Sequence, residues 1–355
     1  MGILTRRELM IRGGLAAFAA VGLQERIALA AQAAGAPDLS FVAPELRESA
    51  RQFLANSSGM AELSANTLQA TREGMKAFGG ALFAAPPFSK RSIQGPPGAP
   101  DVTVYVINAQ PGGRRPAILH THGGGYVAGD AREAVPELQK VAAALDCVIV
   151  TVDYRLAPET RFKGSIEDNY AGLRWLHANA AELGADPGRI AVMGESAGGG
   201  HAALLALATR ARGEIPLVLQ VLIYPMLDDH TGSTLHPPSP IGTILWTAPK
   251  NRFGWRSFLG QAPGTPQVPA NAVPARARTL AGLAPAFIGV GSIDLFVDED
   301  IAYARRLIDA GVPTELVVVP GAYHAFDAVA RDTNLAKNFT AAKWDALRRA
   351  FTPTA

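Results

Sequence analysis

The sequence predicts an α/β fold, a mainly parallel sheet covered by helices on both faces. Three observations carry this. From about residue 100 onward, short apolar runs alternate with stretches of helical character. Most of those runs are apolar throughout, the pattern of strands buried on both faces. The chain is also long enough for one large core or two domains, with 355 residues of which 48% are hydrophobic.

The elements follow in order. Residues 1–33 read as a twin-arginine export signal: Arg6 and Arg7 precede an apolar stretch at 13–23, and Ala-x-Ala sites follow at 28–30 and 31–33. This implies export to a bacterial periplasm. Gln24, Glu25 and Arg26 interrupt the apolar run, so an amphipathic helix on a cytoplasmic protein is the competing reading. The stretch is too short for a stable membrane span. Residues 38–80 lack strand alternation and read as two N-terminal helices, at 44–54 and 61–78, that join a cap. A Pro/Gly-rich connector at 85–100 leads into a core at 81–225 and 285–355. Its expected strands lie at 102–107, 116–120, 147–152, 190–193, 217–223, 286–290 and 315–319. Expected helices lie at 133–145, 167–183, 197–212 and 299–310. The connection at 226–284 is longer than a βα crossover needs and carries a Pro-rich word and aromatic residues, so it reads as a cap insertion, or lid.

Charge excludes some functions. Lys plus Arg number 33 and Asp plus Glu 31, and four Arg against two Glu within residues 1–30 account for the excess. No basic patch points to nucleic acid. The single cysteine, Cys147, cannot form an internal disulfide and sits in an apolar run as a buried thiol.

Two glycine-rich words stand 72 residues apart. The word from Gly194 to Gly198 (GESAG) follows an apolar strand and opens a small-residue helix. That is the setting of a nucleophile elbow, in which Ser196 stands exposed on a sharp turn. The helix start would aim amide N–H groups at a developing oxyanion. The word from His122 to Gly125 (HGGG) also follows a strand. Its glycines let the backbone approach a bound acyl group. Gly124, Gly125 and Ala197 are the expected oxyanion-hole donors, with His122, Gly123 and Tyr126 supporting the site; the cap, with neighbours such as Tyr126, is expected to shape the acyl and alcohol pockets. A plain glycine turn is the bland alternative for each word.

A serine nucleophile needs a base, and the base needs an orienting acid. In folds of this order the acid and then the histidine follow the serine. Of the later histidines, His201 lies in the helix after the elbow, where packing is the natural role, and His230 and His236 fall in the lid. His324 alone follows an apolar strand in a loop. Asp294 comes first after the strand at 286–290. Asp298, Glu299 and Asp300 suit the first turn of the next helix, although spacing alone leaves Asp298 open as the acid.

With these residues in place, the chain resembles the hormone-sensitive-lipase-like branch of the α/β hydrolases over roughly residues 95–350. The HGGG word matches that family's oxyanion word, and Asp153 to Glu159 (DYRLAPE) matches a word it carries after its next strand. Arg155 and Glu159 read there as polar supports of the site floor. Glu195 stands where Asp is usual, Leu295 and Phe296 where Pro and Leu commonly follow the acid, and Ala325 where Gly commonly follows the histidine. The resemblance implies an eight-stranded, mostly parallel sheet and a helical cap. It also implies cofactor-free hydrolysis of small-molecule carboxylic esters with short or medium acyl chains, by a protein that often pairs as a homodimer. A lipase, or an amide, lactone or O-acetyl hydrolase, would share the triad. A ligand-binding protein on the same scaffold would be expected to lose one of its members.

Overall fold

A right-twisted run of apolar strands can bury both faces only if helices return over each side, and the chain does this. The computed structural model describes residues 37–57, 62–76 and 80–352; the segment read as an export signal lies outside them. The strands are β1 (Phe88–Ile93), β2 (Val102–Ile107), β3 (Arg115–Thr121), β4 (Val148–Asp153), β5 (Ala185–Glu195), β6 (Leu219–Ile223), β7 (Ala286–Gly291) and β8 (Thr314–Val319). They form one eight-stranded sheet in the order β1-β2-β4-β3-β5-β6-β7-β8. β2 runs antiparallel to β1 and β4, and every pairing from β4 to β8 is parallel. Register is carried by apolar positions such as Leu119 opposite Val192. Both belong to a continuous core of fully buried side chains.

The helices are α1 (Arg47–Ser57), α2 (Leu68–Lys76), α3 (Ala131–Leu145), α4 (Phe162–Ala178), α5 (Ala180–Leu183), α6 (Ala197–Arg212), α7 (Ala248–Leu259), α8 (Val297–Asp309), α9 (Phe326–Val329) and α10 (Asn334–Phe351). α3 and α10 pack together on one face of the sheet, and α4, α6 and α8 cover the other. Among the described residues no helix is long and apolar enough to cross a membrane.

Several elements differ from expectation. β1 was expected as connector: its sequence (FSKRSI) has apolar residues only at its ends, and it is an edge strand held by β2. α2 begins at Leu68, because Thr67 Oγ1 accepts from the Ser64 N–H at 2.9 Å and closes a turn before it. The helix expected at 167–183 starts at Phe162 and breaks at Asn179 into α4 and α5. α10 was not anticipated. Its buried positions (Ala336, Phe339, Lys343, Ala346, Leu347, Phe351) follow a helical spacing thinned by small and charged residues.

The 226–284 insertion contains one α-helix, α7, and a short 3-10 turn at Pro274–Arg276. It is anchored rather than loose. The Arg276 guanidinium grips both oxygens of the buried Asp229 at 2.7 and 2.8 Å. Trp255 and Phe258 of α7 pack with Tyr126 in a second apolar cluster.

Candidate active site

β5 ends at Glu195 and α6 starts at Ala197, so Ser196 alone makes the turn between them. Its backbone is left-handed, at φ 57 and ψ −122, a conformation that costs about 1–3 kcal/mol for a residue with a Cβ. Three bonds hold it there. The Ser196 N–H donates to the Ile223 carbonyl at 2.9 Å, and the Ser196 carbonyl accepts from Gly200 at 3.0 Å and Met226 at 2.9 Å. The turn also needs Gly198, where any Cβ would run into the Thr121 carbonyl oxygen. Thr121 Oγ1 donates to the Gly198 carbonyl at 2.7 Å from the β3 side.

His324, in the loop after β8, places Nε2 3.0 Å from Ser196 Oγ. Its Nδ1 lies 2.8 Å from Asp294 Oδ2, in the loop after β7. All three residues are buried. A carboxylate accepting from Nδ1–H leaves the Nε2 lone pair facing the serine hydroxyl, the tautomer a general base requires. The other carboxylate oxygen, Asp294 Oδ1, accepts from the Phe296 N–H at 3.0 Å. Asp298 is exposed in the first turn of α8 and has no bond to His324 among the described residues. Ala325 has φ 57, which explains why glycine suits the position after the histidine.

The glycine loop after β3 faces the elbow. Gly123 lies against the Glu195 carbonyl and Ser196 Cβ, and Gly124 and Gly125 have φ 120 and 61. The Gly124 carbonyl accepts from Val127 at 3.1 Å and Ala128 at 3.0 Å, closing the turn. Among the described residues, the N–H groups of Gly124, Gly125 and Ala197 are taken by no other hydrogen bond. Ala197 also opens the 16-residue α6, whose positive dipole end faces the same space.

His122 points away from Ser196. Its Nδ1–H donates to the Gly123 carbonyl at 2.8 Å, its ring stacks on Tyr154 at 4.2 Å, and burial pushes its pKa down to about 4. Tyr126 was expected to help shape the substrate pockets. It is instead buried, its hydroxyl donating to the Met226 carbonyl at 2.9 Å, and it supports the loop from behind. His201 sits beside it among Tyr126, Tyr154 and Phe258, with neither ring nitrogen bonded among the described residues and its pKa lowered by burial to about 3.

Further polar side chains support the site, and of these only Arg155 and Glu159 were marked as supports by the sequence. Glu195 Oε2 lies 2.9 Å from His120 Nε2 on β3, and His120 Nδ1 lies 2.9 Å from Thr151 Oγ1 on β4. Desolvation opposes ionisation of Glu195, but the adjoining His120 outweighs it and holds the carboxyl below its usual range. Arg72 of α2 donates to the Val127 carbonyl at 2.8 Å and the Ala157 carbonyl at 3.1 Å, and forks onto Glu159 at 2.7 and 2.8 Å. Glu299 lies in the first turn of α8, as expected. It is buried, its pKa pushed well up by desolvation, and its Oε1 accepts from the N–H groups of Leu227 and Asp228 at 2.6 and 3.2 Å. Asp300, in the same turn, is also buried. Arg155 forks onto the buried Asp168 at 2.8 and 2.7 Å, which fixes the loop that follows β4.

Asp228, Asp229 and His230 offer donor atoms close enough to hold a cation. The Arg276 guanidinium already occupies that place, bonded to Asp229 and 3.2 Å from His230 Nε2. It supplies the positive charge those carboxylates need.

Comparison with known proteins agrees with this geometry. The model of a family described as having the α/β-hydrolase fold matches residues 118–328. The esterase LipI of Mycobacterium tuberculosis is 38% identical over 229 residues, covering 63% of this chain and 70% of the relative. The ethyl acetate hydrolase of Pseudomonas putida is 35% identical over 216 residues, covering 59% and 65%. Among solved structures, a bacterial heroin esterase superposes with a TM-score of 0.78 at 35% identity, covering 89% of this chain and 99% of its own. A sheet of this order, an elbow serine and a glycine loop after β3, matched by that family model, make the chain a member of the α/β-hydrolase-fold family, in its hormone-sensitive-lipase-like branch.

Proposed function

We propose that the chain is a serine carboxylesterase that hydrolyses carboxylic esters of short to medium acyl chain through an acyl-enzyme on Ser196. The unbroken line from Ser196 Oγ through His324 (3.0 Å) to Asp294 (2.8 Å) carries this reading. Ser196 Oγ attacks the ester carbonyl carbon while its proton passes to His324 Nε2. The tetrahedral oxyanion takes the free N–H groups of Gly124, Gly125 and Ala197, donors worth about 3–4 kcal/mol each in such a site. As the adduct collapses, His324 returns the proton to the leaving alcohol. Water then repeats the sequence, releasing the carboxylic acid and restoring the serine. The esterase names of relatives such as LipI and the ethyl acetate hydrolase support an ester substrate.

Replacement of Ser196 by Ala, followed by p-nitrophenyl acetate turnover and fluorophosphonate labelling, tests the assignment. Both signals are expected to vanish while the fold persists, and turnover retained in that variant would sink it. Export is proposed on Arg6, Arg7 and the apolar residues after them, and is tested by fractionating cells that express the full chain with the arginine pair intact or changed to Lys. The dimer implied by the family is tested by sedimentation.

A further inference from the structure

The insertion places one large side chain between the glycine loop and the base. Its segment from Gly242 to Trp246 is fixed at both ends. At one end the Gly242 N–H donates to the Ile293 carbonyl at 3.0 Å, one residue before Asp294, and the Gly242 Cα rests on Leu295. At the other end Trp246 Nε1–H donates to Asn251 Oδ1 at 3.1 Å, and Asn251 Nδ2 donates to the Thr231 carbonyl at 2.8 Å. Leu245, just before the indole, holds φ 66, a left-handed turn that points to a fixed rather than a drifting segment.

The indole spans the site. Its six-membered edge, Cζ2 and Cη2, lies on Gly125 so closely that a Cβ there would collide with it. Its ring centroid is 6.2 Å from that of His324, tilted by 35°. Trp246 therefore reaches from the oxyanion loop to the base, and retains 9% exposure.

We infer that Trp246 sets the size limit on the acyl group, confining efficient turnover to short acyl chains; this rests on the acyl-serine reading above. In the tetrahedral adduct the oxyanion faces the Gly124, Gly125 and Ala197 amides, and the leaving oxygen must face His324 Nε2 to be protonated. The acyl chain takes the remaining direction, past Gly125, where the indole stands. An apolar wall discriminates by the space it fills, and each further methylene that must displace it costs binding in the transition state as well as the ground state.

The test compares wild type, Trp246→Ala and Trp246→Leu on p-nitrophenyl acetate, butyrate, hexanoate and octanoate. Each protein is first titrated with a p-nitrophenyl phosphonate, so that rates refer to reactive serine. Wild type is expected to prefer the shortest chains. The ratio of kcat/KM for octanoate over acetate is expected to rise at least about tenfold in Trp246→Ala, and less in Trp246→Leu. An unchanged ratio in both labelled variants overturns the proposal, as does a wild type that prefers octanoate. Acetyl esters of ethanol, butanol and hexanol are run beside these, and a change confined to that series also overturns the proposal, because the indole would then border the leaving group. Wild type that takes no phosphonate label would refute the acyl-serine reading instead. If Trp246→Ala does not fold, the Leu variant alone decides.

Discussion

Glu195 and His120 join two strands that are neighbours in the sheet but distant in sequence: Oε2 and Nε2 meet at 2.9 Å between the end of β5 and the end of β3. The residue before the nucleophile is thereby tied to the strand that launches the glycine loop. The two sides of the oxyanion hole share one side-chain clamp, continued to β4 by Thr151 at 2.9 Å from His120.

Breaking that clamp should slow catalysis without abolishing substrate binding. Glu195→Ala is expected to lower kcat by about 10- to 100-fold, the scale on which small misplacements of reacting groups act, with KM little changed. Glu195→Asp should recover part of the loss. Steady-state kinetics on one ester checks this, and a KM effect larger than the kcat effect would refute the positioning role.

The two aspartates that sequence spacing left open should separate cleanly. Asp294→Asn is expected to lower kcat by about 10⁴-fold, because an amide at Oδ2 favours the wrong imidazole tautomer. Asp298→Asn, at an exposed helix start, should stay within a few-fold of wild type. Comparable losses in both variants would contradict the 2.8 Å contact of Asp294 with His324.

Arg72 and Glu159 test which of their shared bonds matters. The Glu159 side chain is 62% exposed, so its half of the ion pair is worth about 1 kcal/mol at most, and Glu159→Gln should barely move a urea midpoint. Arg72→Gln also releases the Val127 and Ala157 carbonyls, and leaving such groups unpartnered costs about 1–3 kcal/mol. It should lower both stability and kcat. Equal effects of the two substitutions would show that the ion pair, not the backbone contacts, supports the loop.

His201 gives a pH-dependent stability difference whose sign is fixed. Burial lowers its folded pKa to about 3, below the ordinary histidine value of about 6.5. As pH falls below 6.5 the unfolded chain takes up a proton that the folded chain refuses until about pH 3, so stability is lost through that window. His201→Leu removes this loss and an unbonded polar ring from an apolar pocket. Its stability relative to wild type should rise as pH falls, by up to roughly 1.4 kcal/mol per pH unit. Urea unfolding at pH 7, 6 and 5 measures it. A difference that does not change with pH would mean that His201 takes up its proton alike in the folded and unfolded states.

The parallel core was legible because β3 to β7 are nearly unbroken apolar words, and the elbow and glycine loop were legible because their chemistry requires glycine at fixed offsets. β1 escaped because an edge strand need not be apolar; its stability comes from β2. Tyr126 was read as a pocket wall from its place beside the glycines. Its positive φ of 68 turns the ring back into the core instead. The helix turn that holds Glu299 and Asp300 was legible but their burial was not, because the segment after β6 that Glu299 holds lies some seventy residues earlier. Arg72, His120 and Glu195 share that difficulty, since each acts on a partner brought near only by the sheet.

β6 contributes no member of the triad, and it sits between the strands that do. β5 and β7 each pair with it, so two interstrand spacings, about 9.5 Å, separate the strand before Ser196 from the strand before Asp294. His324 bridges that interval, arriving from β8 on the far side. The idle strand is therefore the ruler of the site. Reacting groups can be exchanged singly, but the gap across which they cooperate is one strand wide and belongs to the sheet.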